Sequence, residues 1–270
     1  MNIKIKNIIK SSTILGLSLF IVGMSILKKD GFFYEKPVIV KQSAVFETPA
    51  KDYFLQKLEN DHNQAWASLR AIGITKDRFQ QAKKQHYNEY LRSDIPFSRA
   101  PVSPKTKAFV ADLLKENGLT PQQIPVYGYT DGSPAAATDR IIYVNEKTFS
   151  MLSSAAKRFV IAHEIQHILN KDNSAGYIME VISGLNIDKV KSQKNHPLLQ
   201  FNRFKEKRAD VNVAVKNKDW AKAYLAFTQE QFKICGDSPG ITHPKNSERI
   251  ALAQQIVDYM DGKQPVIKTA

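Results

Sequence analysis

The sequence predicts an α+β fold that is mostly helical, with a small antiparallel-type sheet lying above one central helix. Three observations carry this. From residue 51 onward the chain reads as successive amphipathic helices, with apolar residues at three- and four-residue spacing. Only two short segments, 124–129 and 140–145, read as strands between turn signals. The stretch His163-Glu164-Ile165-Gln166-His167 sits inside an otherwise apolar run, with Phe159-Val160-Ile161-Ala162 before it and Ile168-Leu169 after it. A buried helix therefore carries polar side chains at its centre.

Taken in order, residues 1–30 read as a signal peptide or signal anchor. Lys4, Lys6 and Lys10 precede an uncharged run over 11–27, which Lys28-Lys29-Asp30 ends. Such a run is at the short limit for a spanning helix and long for a signal-peptide core. Lysines on both sides barely orient it. Gly23-Met24-Ser25 offers small residues for cleavage, and no Cys follows the run, which excludes lipoprotein processing. Either outcome exports the body of the chain. The expectation is a membrane-anchored protein with its main domain outside the cytoplasm, or a periplasmic or secreted one if the segment is cleaved.

Residues 31–50 follow as an extended linker. Helices are expected over 51–72 and 76–91, separated by Gly73. They make a helical N-terminal region, 51–103, closed by a hinge over 94–104 with Pro96, Pro101 and Pro104. The main domain, 104–270, opens with a helix over 105–117. The two strands come next, joined by a turn around Asp131-Gly132-Ser133-Pro134, and then the HEIQH helix. Residues 198–215 read as a helix through Phe201, Phe204, Val211, Ala214 and Val215. Another is expected over 219–232, where the stripe of Trp220, Tyr224 and Phe227 reads as core. A Gly/Pro/Ser-rich loop over 236–246 leads to a last helix, for which Ser247 is the expected N-cap and Gly262 the stop.

On a helix, residues four apart share a face, so His163 and His167 aim both imidazoles at one point and Glu164 lies beside it. This is the geometry of a zinc site with two His ligands and a Glu placed to take a proton from water. Buried polar side chains cost roughly 2–7 kcal/mol each unless something satisfies them, and metal ligation is one solution. Glu206 and Asp210 are also four apart on one helical face. Glu206 suits the third ligand position, leaving the fourth for water, and Asp210 suits the free N–H of a ligating imidazole. The alternative is a solvated acidic face flanked by Lys205, Lys207 and Arg208. In the loop before the last helix, His243 suits a donor to a developing oxyanion, and Arg249 suits an anchor for the loop or for a carbonyl.

The order HEIQH, EKRAD and THPKNSERI resembles the gluzincin family of zinc metallopeptidases that includes the CAAX prenyl protease and the HtpX heat-shock protease. The likeness covers roughly residues 104–261. It implies a zincin-like catalytic domain with one zinc per chain, bound by His163, His167 and Glu206. It further implies Glu164 as general base, Asp210 behind a ligand, and His243 and Arg249 near the substrate carbonyl. Two departures stand out. Family members often carry Gly before the second His, where this chain has Gln166. The edge-strand motif that usually reads Asn-Ala-Phe-Ala is here Pro134-Ala135-Ala136-Ala137. Beyond the N-terminal segment no long apolar run exists, unlike the multi-spanning members, so the likeness is to a single-span or secreted type.

Composition bounds these readings. With 270 residues, 43% of them hydrophobic, the chain can bury a full core. The single cysteine, Cys235, rules out an intrachain disulfide and a Cys-rich zinc site. Net charge is +13, and residues 188–222 hold ten Lys/Arg against four Asp/Glu. That balance reads as a solvated surface first and as an affinity for anionic lipid second. No nucleic-acid motif is present, and no nucleic-acid partner is expected. The expected partners are a polypeptide substrate and a membrane, reached by the N-terminal segment or by an anionic surface. No feature sets an oligomeric state. The leading function is a zinc-dependent endopeptidase acting on proteins at or beyond a membrane, extending to envelope protein quality control. A non-hydrolytic zinc-containing chaperone or binding protein is the alternative, and a basic membrane- or nucleic-acid-binding protein with accidental motifs is the third.

Overall fold

The computed structural model describes residues 49–93, 100–130, 132–185, 187–190, 192–193, 195–237 and 243–263. The expected signal or anchor segment, nearly all of the linker, much of the hinge and part of the loop before the last helix lie outside the described residues. Among those described, no helix is long and apolar enough to cross a membrane.

The protein is mostly helical with one small sheet. Helices α1 (Pro49–Ala71), α2 (Lys76–Ser93) and α3 (Pro104–Glu116) precede strands β1 (Val126–Gly128), β2 (Ala135–Ala137) and β3 (Ile142–Val144). The short α4 (Glu146–Ser150) leads into α5 (Ser154–Asn170), α6 (Asp172–Ser183) and α7 (Ile187–Val190). Helices α8 (Pro197–Ala214), α9 (Lys218–Cys235) and α10 (Asn246–Met260) complete it.

Local chemistry explains the boundaries. Ser153 Oγ accepts the Ala156 N–H at the start of α5, and Asn217 Oδ1 accepts the Trp220 N–H at the start of α9. At the start of α8, Pro197 follows His196, whose Nδ1 accepts the Leu198 N–H. The last helix corrects the expected cap. It begins at Asn246, and Ser247 lies inside it. The cap position is Lys245, whose N–H donates to Glu248 at 3.3 Å, while Asp237 in the preceding loop accepts both the N–H and the Oγ–H of Ser247.

The sheet also departs from expectation. Its order is β1-β3-β2, with β1 parallel to β3 and β2 antiparallel to β3. It is therefore mixed, not an antiparallel pair. The chain reverses twice between the expected strands, because Ala135–Ala137 forms an edge strand of its own. Three alanines carry no alternation to betray a strand. At the other edge, Gly128 N–H donates to Ala100 O at 2.9 Å. A Cβ on Gly128 would lie 3.2 Å from Ala100 and from the Pro101 carbonyl, tighter than an ordinary contact, so a side chain there would have to push this backbone aside by a few tenths of an ångström.

Edge strand β2 packs on α5, and α5 packs in turn on α8 and α9. Phe159, Val160, Ile161, Ala162, Ile165 and Ile168 of α5 are all buried. The Phe159 ring lies 4.8 Å from Tyr224 and 5.5 Å from Phe227, and the expected Trp220–Tyr224–Phe227 stripe is buried. Helix α1 runs along α8, with Trp66 meeting Phe201 across the contact. The two helices that carry the expected ligands thus meet inside the core, where their polar side chains need partners.

Candidate metal centre

Helix α5 presents His163 and His167 on one face, their ring centroids 4.7 Å apart. Helix α8 crosses it and brings Glu206 to the same point. The Nε2 atoms of the histidines are 3.0 Å apart. His163 Nε2 is 3.3 Å from Glu206 Oε2, and His167 Nε2 is 3.6 Å from Glu206 Oε1. One donor atom from each residue falls within 4.8 Å of the others. Both histidines are buried, and the Glu206 side chain is 12% exposed.

The other nitrogen of each ring has a fixed partner. His163 Nδ1 lies 2.8 Å from Asp210 Oδ1. Asp210 also accepts Arg249 Nη2–H on Oδ1, and Arg249 Nε–H and the Tyr224 hydroxyl on Oδ2, at 2.8–2.9 Å. Every acceptor site of that carboxylate faces a donor, so the ring must donate Nδ1–H to it. His167 Nδ1 lies 2.8 Å from Asp172 Oδ2, whose other oxygen accepts Arg208 Nη2–H. With both Nδ1 positions donating, the neutral rings turn bare Nε2 lone pairs toward one another and toward a carboxylate. Glu206 Oε2 is buried and accepts no hydrogen bond of good geometry, although His163 and His243 nitrogens stand nearby.

Stripped of protons, these donors repel one another, and a positive charge at their centre, a proton or a metal cation, removes the repulsion. Tetrahedral zinc with ligands at about 2.0–2.2 Å holds its donors about 3.3 Å apart. The observed 3.0, 3.3 and 3.6 Å bracket that value, and the N, N, O donor set suits zinc. The electrostatics point the same way. Burial alone would push His163 down, yet Asp210 and Glu206 outweigh it and raise His163 to about 9. His167 likewise rises against burial through Glu206 and Asp172. Burial would raise Glu206, but His243 and His167 hold it well below the usual carboxylate range. Burial also opposes ionisation of Asp210, which Arg249 and His163 bring down to about 2. The site therefore attracts positive charge.

The remaining expected residues fall as follows. Glu164 is buried one residue after His163, and no hydrogen bond among the described residues engages its carboxylate. His243 is about half exposed, with Nε2 2.9 Å from Glu206 Oε2. Arg249 is buried and commits Nε and Nη2 to Asp210. The acidic face of α8 is not solvated, and its neighbours Lys205 and Arg208 are buried too. Gln166 accepts from Asn212 Nδ2 on α8 at 3.5 Å. Sequence reasoning missed Asp172 and assigned Tyr224 to the core alone. A cavity of about 660 Å³ between α1, α8 and α10 touches Asp210, Tyr224 and Arg249, but none of His163, His167 and Glu206 lines it. No family model, curated protein or solved structure matches the chain.

Proposed function

We propose that the protein is a zinc-dependent endopeptidase, with one zinc held by His163, His167 and Glu206 and with Glu164 as general base. The observation that carries this reading is the buried meeting of two imidazole nitrogens and a carboxylate oxygen, with the second nitrogen of each ring held by a carboxylate of its own. When bound, zinc supplies Lewis acidity, lowering the pKa of a coordinated water toward neutrality and polarising the scissile carbonyl.

The chain's own residues do the rest. Glu164 takes a proton from the attacking water and passes it to the leaving amine. A carboxylate with no hydrogen-bond partner among the described residues is available for that transfer. His243, on the exposed rim beside Glu206, donates to the oxygen that gains charge as the carbonyl is attacked. Arg249 works through Asp210, holding the His163 ring in one tautomer, rather than on the substrate. The substrate is polypeptide, met at or beyond a membrane to which residues 1–30 deliver the chain. Protease added to the outside of intact cells, permeabilised in the outer envelope where there is one, tests that placement, and full protection of the main domain contradicts it.

The decisive experiment is mass spectrometry of products after the zinc-loaded protein meets unfolded polypeptide, with Glu164→Gln as control. New internal peptide ends in the wild type alone are the expected result. Stoichiometric zinc with no cleavage above the control would instead favour a non-hydrolytic zinc protein.

A further inference from the structure

His167 lies in the last turn of α5, three residues from its end. Helix ends fray, so a ligand there is less firmly placed by its own backbone than His163, one turn further in. The neighbouring structure compensates. Lys171 turns the chain through the left-handed region, φ 53°, and α6 begins at once with Asp172. That turn brings the Asp172 carboxylate back to 2.8 Å from His167 Nδ1.

Asp172 is itself held from every side. It is 2% exposed. Arg208 donates to its second carboxylate oxygen, and Lys205 Nζ–H donates to its backbone carbonyl at 3.0 Å. The next two amides, of Asn173 and Ser174, donate to Asp139 Oδ1 at 3.2 Å. Helices α6 and α8 approach closely here, and a Cβ on Gly176 would stand 3.2 Å from Lys205 Nζ. Lys205 and Arg208 flank Glu206 on α8. One helix therefore supplies both the third metal donor and the two cations that fix the partner of the second.

We propose that Asp172 is the positioning residue of His167, fixing the tautomer and direction of the ring so that Nε2 faces the metal point, with Lys205 and Arg208 setting its place. This rests on the zinc reading. A purely structural role would be different, with Asp172 present only to neutralise buried Arg208.

The test separates the two. Zinc dissociation constants, from competition with a chromophoric chelator, and the Tm of metal-free protein are measured for wild type, Asp172→Asn and the double variant Asp172→Ala/Arg208→Met. The double variant removes both buried charges and leaves an apolar side chain against Phe204, over which the Arg208 guanidinium now sits. Its Tm should return near that of wild type while its zinc affinity stays roughly 10–100-fold weaker, as for loss of a residue behind a metal ligand. Asp172→Asn is nearly isosteric and keeps an acceptor for His167 but loses the charge, so its loss should lie at the lower end of that range. Wild-type zinc affinity in both variants would overturn the positioning role while leaving the zinc site standing. A wild type that binds no zinc would overturn the zinc reading itself, and this inference with it.

Discussion

The two histidines of the site are supported in contrasting ways. Behind His163, one carboxylate, Asp210, gathers a tyrosine from α9 and an arginine from α10, so three helices converge on a single ring. Behind His167, Asp172 stands at a turn between consecutive helices and is locked by two cations from α8. The first support is assembled from residues far apart in sequence, and its failure would loosen the core. In the second the ring and its carboxylate are five residues apart, although the two cations behind that carboxylate come from α8, and on the proposed reading its failure would loosen the ligand. On the proposed reading, burial of charge serves tertiary cohesion on one side and ligand aim on the other.

Glu164→Gln belongs to neither side and should leave both intact. Peptide hydrolysis should fall by about 10²–10⁴-fold, the usual worth of a general base, with zinc content and metal-free Tm unchanged. Wild-type turnover in that variant would remove Glu164 from the chemistry. Asp210→Ala breaks the three-helix side. It leaves the Arg249 guanidinium buried and uncompensated, so urea unfolding of the metal-free protein should report a loss of about 3–5 kcal/mol. A loss below about 1 kcal/mol would mean that the α8–α9–α10 junction does not depend on this carboxylate. The smallest change is Tyr224→Phe, which removes one of four donors to Asp210 while Arg249 and His163 keep the rest. About 1 kcal/mol is expected, with zinc affinity within a few-fold of wild type.

How much of this could be read in advance follows the same division. His163, His167 and Glu206 are regularly spaced on two helices, and helical periodicity projects such spacings directly into space. Asp210 followed from the same rule, one turn beyond Glu206. Asp172 did not, because it lies past the end of α5, and only the left-handed turn at Lys171 returns it to the ring. The polar run Asn170-Lys171-Asp172 marks a turn but not its direction. Arg249 was picked out as an anchor for the loop or for a carbonyl, and its position on α10 against α9 buries it on Asp210, a partner the sequence did not name. Lys205 and Arg208 looked like solvated flanks because sequence shows their charge but not the carboxylate that receives them. By periodicity the edge strand Ala135–Ala137 was legible only as a connection, since alanine signals neither period, and only the likeness set an edge-strand motif over Pro134-Ala135-Ala136-Ala137.

Everything proposed for this site depends on whether the three convergent side chains hold a metal. Zinc per chain, measured by elemental analysis after exhaustive dialysis of zinc-loaded wild type and of Glu206→Ala, tests this most directly. One zinc per chain in the wild type and close to none in the variant is the predicted result. A variant that keeps one zinc per chain, or a wild type that keeps none, would contradict it.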